Sequence, residues 1–113
     1  MVSTKWYKLK QMTVEKIPDS FEGKGEVKGI LFERFHESEN CYVYFRSDGN
    51  YEVFKKKTTP LCIDFENKIY SQDRVKEVYP KSKDFGKWAW TFKSHSAALI
   101  KARELSIINQ TNN

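Results

Sequence analysis

The chain has 113 residues, with 20 Lys plus Arg against 15 Asp plus Glu, a net charge of +5 and 15% aromatic residues. At that length it forms one domain, 1–113, with a single modest core, and needs no disulfide framework. Its N-terminus lacks an apolar block of signal-peptide length and no later run approaches a bilayer crossing, so the expectation is a soluble cytoplasmic protein with no membrane partner.

In chain order, Lys5–Ile17 mixes charge with Trp6, Tyr7, Leu9, Met12, Val14 and Ile17 and is read as a strand; Pro18–Gly25 carries turn residues and is read as a loop. Val27–Phe35 is rich in β-formers on both sides and predicts a central strand. Cys41–Arg46 and Tyr51–Lys55 flank Ser47-Asp48-Gly49-Asn50, a hairpin signal. With Gly49 left-handed in a three-residue loop, Phe45 opposes Tyr51 and Val43 opposes Val53. One face then carries Cys41, Val43, Phe45, Tyr51 and Val53, and the other Tyr42, Tyr44, Arg46, Glu52, Phe54 and Lys56. A two-residue loop would instead bury Glu52 beside Val43 and Phe45.

Leu61–Glu66 reads as a short strand, whereas Ser71–Tyr79 fits a helix or an extended stretch; the structure of 58–84 stays open at this stage. Lys87–Lys93 is the last strand. Ser94–Ile108 predicts a helix capped by Ser94 or Ser96, with Ala98, Ala102 and Leu105 as the stripe that lies on a sheet, before a frayed tail at 109–113. The sum is an α+β fold, an antiparallel β-meander of four to five strands packed on one C-terminal α-helix, whose second sheet face is left to solvent, a partner or a second subunit.

Catalytic signals are weak. His36 and His95 are far apart, Cys41 and Cys62 have no zinc-knuckle spacing, and no serine sits in a nucleophile elbow, so neither a metal nor a cofactor is expected. Both cysteines lie in apolar stretches and are expected to be buried reduced thiols. Asp19 with Glu26 and Lys28, and Asp64 with Glu66 and Lys68, resemble fragments of a metal-dependent nuclease pattern, but the short gap between Asp19 and Glu26 hardly allows two adjoining strands. The expectation is a non-enzyme.

The aromatic and basic residues carry more. From Lys68 to Lys93 seven basic residues stand against three acidic ones, which is +4 of the total +5. Tyr42, Tyr44 and Phe54 with Arg46 and Lys56 could form a stacking face, with the basic cluster Lys55, Lys56 and Lys57 ending its strand; Trp88, Trp90 and Phe92, flanked by Lys87 and Lys93, form the rival row, for which packing in the core is the other reading. Rings two apart on a strand each stack one base, and lysines neutralise phosphates. With about five phosphate contacts, single-strand affinity would fall with salt at a log–log slope near −3.5.

The segment Tyr51-Glu-Val-Phe-Lys55, followed by Tyr79-Pro80 and Phe85-Gly86-Lys-Trp88-Ala89-Trp90-Thr-Phe92, resembles a small uncharacterised protein family of gut Bacteroidetes and their crAss-like bacteriophages, most specifically at Phe85-Gly86-x-Trp88-Ala89-Trp90. The resemblance carries no site residues; it implies a bacterial host cytoplasm or a virion. The expected function is sequence-tolerant binding of single-stranded nucleic acid. The alternative is a protein-interaction module for a host or phage protein, docking through the open sheet face or as a homodimer.

Overall fold

The computed structural model describes residues 13–111. Among these residues eight strands, β1 (Thr13–Glu15), β2 (Ser20–Glu22), β3 (Leu31–Glu37), β4 (Cys41–Arg46), β5 (Tyr51–Lys55), β6 (Thr58–Asp64), β7 (Ile69–Glu77) and β8 (Ala89–Phe92), precede one helix, α1 (His95–Thr111). Tertiary contacts divide the chain into two compact units, one running up to Ile17 and including Lys57–Tyr79, the other made of Pro18–Lys56 and Pro80–Asn113.

The second unit holds a five-stranded antiparallel sheet in the order β2-β3-β4-β5-β8 with α1 packed on β4, β5 and β8. This is the predicted α+β meander. The turn between β4 and β5 takes the three-residue form: Gly49 adopts φ 94°, Phe45 opposes Tyr51 and Val43 opposes Val53. Glycine is needed there because that φ forces a Cβ against the backbone. The Ser94 hydroxyl accepts the Ala97 amide at 3.2 Å and so starts the helix. The predicted stripe of Ala98, Ala102 and Leu105 then closes over Cys41, Val43 and Val53, with Tyr51, Trp90 and Phe92 at its border. Small residues at 98 and 102 let the helix backbone approach the strands closely.

Several boundaries differ from expectation. The Pro18–Gly25 loop contains β2, whose Phe21 pairs across from Phe32 and stacks on it at 4.8 Å; one anchoring ring in a three-residue strand leaves no readable period. Val27 belongs to a 3-10 turn, and the strand after it begins at Leu31. Gly23 in that connection is buried, and a Cβ there would overlap the Val27 carbonyl and the Phe32 ring. The helix continues to Thr111 beyond the expected end at Ile108. Of the expected N-terminal strand only Thr13–Glu15 is seen, and Lys5–Met12 lie outside the described residues.

The first unit is a three-stranded sheet, β1-β7-β6, in which β1 runs parallel and β6 antiparallel to β7. Ser71–Tyr79 is therefore extended from Ile69 to Glu77, the alternative its β-branched content allowed. Pro60 fits because β6 is an edge strand, where a missing backbone donor breaks no ladder.

The expectation that the sheet face opposite the helix lies open is overturned. Tyr42, Tyr44, Glu52 and Phe54, which point away from α1, have 0% exposure, as do Cys41, Val43 and Val53 on the helix side. The two central strands are buried on both faces.

Candidate functional site

The tyrosine row is a closed layer of rings. Tyr44 stacks on Phe54 at 5.7 Å with 6° between planes, and Tyr42 leans on both, at 5.6 Å from Tyr44 and 5.8 Å from Phe54. The Tyr44 hydroxyl donates to the Pro18 carbonyl at 2.7 Å. Over this layer lie two cations: the Arg34 guanidinium and the Lys56 ammonium are each 4.8 Å from the Tyr42 centroid. Their charges are answered locally, Lys56 by Glu37 at 2.6 Å, and Arg34 by Asp19 at 2.7 Å and Glu37 at 3.3 Å.

A bulge makes this pairing possible. The β3–β4 register shifts between Arg34 and His36, which puts Arg34 and Glu37 on one face although three positions separate them. Thus Tyr42, Tyr44 and Phe54, predicted to stack on bases, present no ring face to a ligand, because protein rings and cations already occupy it. Lys56, predicted to meet phosphate, is paired with Glu37.

Arg46 is likewise engaged within the chain. Its guanidinium reaches the buried Glu52 carboxylate at 2.7 Å and Asp48 at 2.6 Å, and lies 5.8 Å from the Phe32 ring. Partial burial opposes ionisation of Asp48, but hydrogen bonds from Arg46 and from the Asn50 amide outweigh it and hold that carboxyl below its ordinary value. Of the other predicted cations, Lys55, Lys87 and Lys93 are exposed in the five-stranded unit and Lys57 is exposed in the three-stranded one.

The rival row is where apolar surface remains accessible. Trp88, Trp90 and Phe92 are all half-buried. Trp90 pairs with Val53 and Phe92 with Tyr51, so both rings point to the helix side of the sheet. There they form one wall of a groove of about 430 Å³; Ala97, Ile100, Lys101 and Glu104 of α1 form the other. Ile100 is 58% exposed. The Lys101 ammonium lies 4.1 Å from the Trp90 ring centroid and 3.8 Å from Glu104, so one face of that indole is covered by a cation.

β8 is the last strand of its sheet. The Lys55 amide bonds the Trp88 carbonyl at 3.0 Å, and by antiparallel alternation the Thr91 N–H and C=O then point away from β5, along the open edge. The helix wall went unread in the sequence. Its signal was Ile100, an isoleucine off the Ala98–Ala102–Leu105 stripe, with Ala97, Lys101 and Glu104 at helical spacing around it.

The nuclease-like fragments are taken up by local structure. Asp19 pairs with Arg34, Glu26 accepts the Ser82 hydroxyl at 3.0 Å, and Asp64 accepts the Asn67 amide at 3.2 Å and its side-chain nitrogen at 2.8 Å. Among the described residues no three of His, Cys, Asp and Glu come together as a metal site would need. No helix among them is long and apolar enough to cross a membrane.

The cysteines are unbridged but not alike: Cys41 is buried as expected, whereas Cys62 is exposed, on an edge strand that buries none of its residues fully. Burial pushes the Cys41 thiol up, against a lowering hydrogen bond from Ser38. A thiol-reactive chromophore at pH 8 is therefore expected to label one group promptly in the native protein and the second only on unfolding. Cys62→Ser should abolish the prompt phase, and prompt labelling that survives it would place Cys41 in reach of solvent.

Comparison of the chain with protein-family models, with curated proteins and with solved structures yields no match.

Proposed function

We propose that this protein is a non-catalytic binding protein, and that it takes an apolar segment of a partner protein in the groove between β8 and α1. The observation that carries the reading is the contrast between its two aromatic rows. Tyr42, Tyr44 and Phe54 are closed, while Trp90 and Phe92 stay half open beside an exposed Ile100. Rings left at a seam between an edge strand and a helix match a recurrent way of holding peptides, in which side chains enter the groove and the strand edge offers backbone groups. Here the edge contributes little beyond Thr91, because the Ala89 carbonyl already accepts the Gly86 amide at 2.7 Å. Specificity would come from the groove.

Single-stranded nucleic acid is the second reading. It is favoured by exposed Lys87 and Lys93 next to the two ends of the Trp88–Phe92 row, and opposed by Lys101, which lies where a base would stack on Trp90. A selection of apolar peptides from a display library, repeated against Ile100→Glu, separates the two. The exposed substitution should leave the fold intact and weaken selected peptides about tenfold or more, with little change between low and high salt. Peptides that bind Ile100→Glu as well as the parent would overturn the groove reading. Tryptophan quenching by oligo-dT that disappears by about 0.3 M salt would favour the second.

A further inference from the structure

A second cavity on the helix side of the five-stranded sheet shares no residue with the groove. It has a volume of about 250 Å³ and is lined by Glu33, Arg34, Phe35, Phe45 and Tyr51. Its walls follow from the register. Glu33 pairs with Phe45 and Phe45 with Tyr51, so their side chains form one row across β3, β4 and β5. The bulge after Arg34 leaves Phe35 without a partner on β4, and its ring meets Tyr51 at 5.4 Å with 69° between planes. Phe45 meets Tyr51 from its own side at 5.0 Å and 57°. The steep angles make these rings the walls of a recess, in contrast to the parallel planes of Tyr44 and Phe54. His95, at the start of α1, braces Phe35 and Tyr51 from 5.9 Å and 6.2 Å, and Phe35 is left 45% exposed.

We infer that this recess is an aromatic cage for a trimethylammonium group, carried by a small molecule or by a methylated lysine. Charge and hydrogen-bonding capacity both point there. Ring faces attract a cation through their quadrupoles, and the exposed Glu33 carboxylate stands among them with no hydrogen bond or ion pair to any other described residue. The lining cation does not compete: the Arg34 guanidinium has turned to the opposite face of the sheet, where it lies over Tyr42 and pairs with Asp19 and Glu37. Beyond Glu33 and the Tyr51 hydroxyl the lining side chains offer no hydrogen-bond acceptor. A primary ammonium has three donors to satisfy and would leave donors unmade among the rings, whereas a quaternary nitrogen has none. The volume lies below the roughly 300 Å³ at which sites for drug-sized ligands begin, which suits a head group rather than a whole cofactor. An anion would face both Glu33 and the negative ring faces.

Proton NMR titration of the full chain tests this at pH 8, where an imidazole is neutral. The probes are choline, its uncharged tert-butyl isostere, and a lysine peptide with and without trimethylation. The N-methyl signals of choline and of the trimethylated peptide should move upfield in the ring currents, with dissociation constants of about 1 mM or tighter. The isostere and the unmethylated peptide should bind about tenfold more weakly. Whichever of choline and the trimethylated peptide binds tighter identifies the source of the group. Glu33→Gln and Phe35→Leu, both at exposed positions and checked for fold by circular dichroism, should each weaken the tighter ligand about three- to tenfold. No binding of either methylated probe at about 10 mM, an isostere that binds as well as choline, or parent-like binding in both variants would each overturn the inference.

Discussion

Phe54→Ala is expected to destabilise the protein by about 3–5 kcal/mol, the range for removing a buried aromatic ring and leaving a cavity. Phe54 has no exposure, lies in parallel planes with Tyr44 at 5.7 Å and contacts Tyr42 at 5.8 Å, so its loss strips two neighbours of their ring partner as well. Backbone pairing of Phe54 with both Tyr42 and Ala89 pins the strand and limits collapse into the vacated space. Domains of this size are stable by about 5–15 kcal/mol, so the substitution removes a large share and should lower the thermal midpoint by roughly 13–20 °C. Phe65→Ser is the matched comparison: its ring is 86% exposed, and the change should stay within about 0.5 kcal/mol. Urea unfolding of the two variants reads both. A cost below about 1 kcal/mol for Phe54→Ala would mean that the tyrosine layer is not packed, and would reopen it as a binding face.

The comparison of those two phenylalanines also marks how far the sequence could be read. Asp48-Gly49 set the register of the β4–β5 hairpin through the loop length, whereas Glu52 is buried all the same, on the face of Tyr42 and Tyr44, where Arg46 answers its charge. The helix stripe was legible for a similar reason, since Ala98, Ala102 and Leu105 are the positions where helical spacing and small size agree. Solvent exposure was not legible. Residues 41 to 44 are all buried, and when both faces of a strand are covered the two-residue period no longer distinguishes inside from outside. Lys56 compounded the difficulty, since a cation placed by the strand period on the tyrosine face looks the same whether it meets phosphate or folds back over the rings. The parallel pairing of β1 with β7 joins residues about sixty positions apart, and local patterns carry no information on such a partner. The groove needed the helix flank of Ala97, Ile100, Lys101 and Glu104 set against the Trp90 row, and spacing within either element does not say that they meet.

Arg46→Met is expected to cost about 3 kcal/mol or more, although it keeps an apolar stem of similar length. Glu52 has a side chain only 1% exposed, and the Arg46 guanidinium 2.7 Å away is an opposite charge that helps to offset the cost of burying its carboxylate. Removing one partner of such a pair leaves the other charged in a poorly solvated place, which is costlier than never having built the pair. Arg46 also bonds Asp48 at 2.6 Å and 3.1 Å, closing the hairpin turn that sets the register of the sheet. The double variant Arg46→Met with Glu52→Gln should recover more than half of the loss, because the buried charge has gone while its shape remains. A pH series supplies the second check. Asp48 is held below its ordinary value in the folded protein, so its bond to Arg46 adds stability above about pH 4 and loses it as the pH falls through the folded value. The gap between parent and Arg46→Met should accordingly narrow on the acid side. A cost under about 1 kcal/mol at neutral pH, or no recovery in the double variant, would show that the Arg46–Glu52 pair is not what holds this corner of the sheet together.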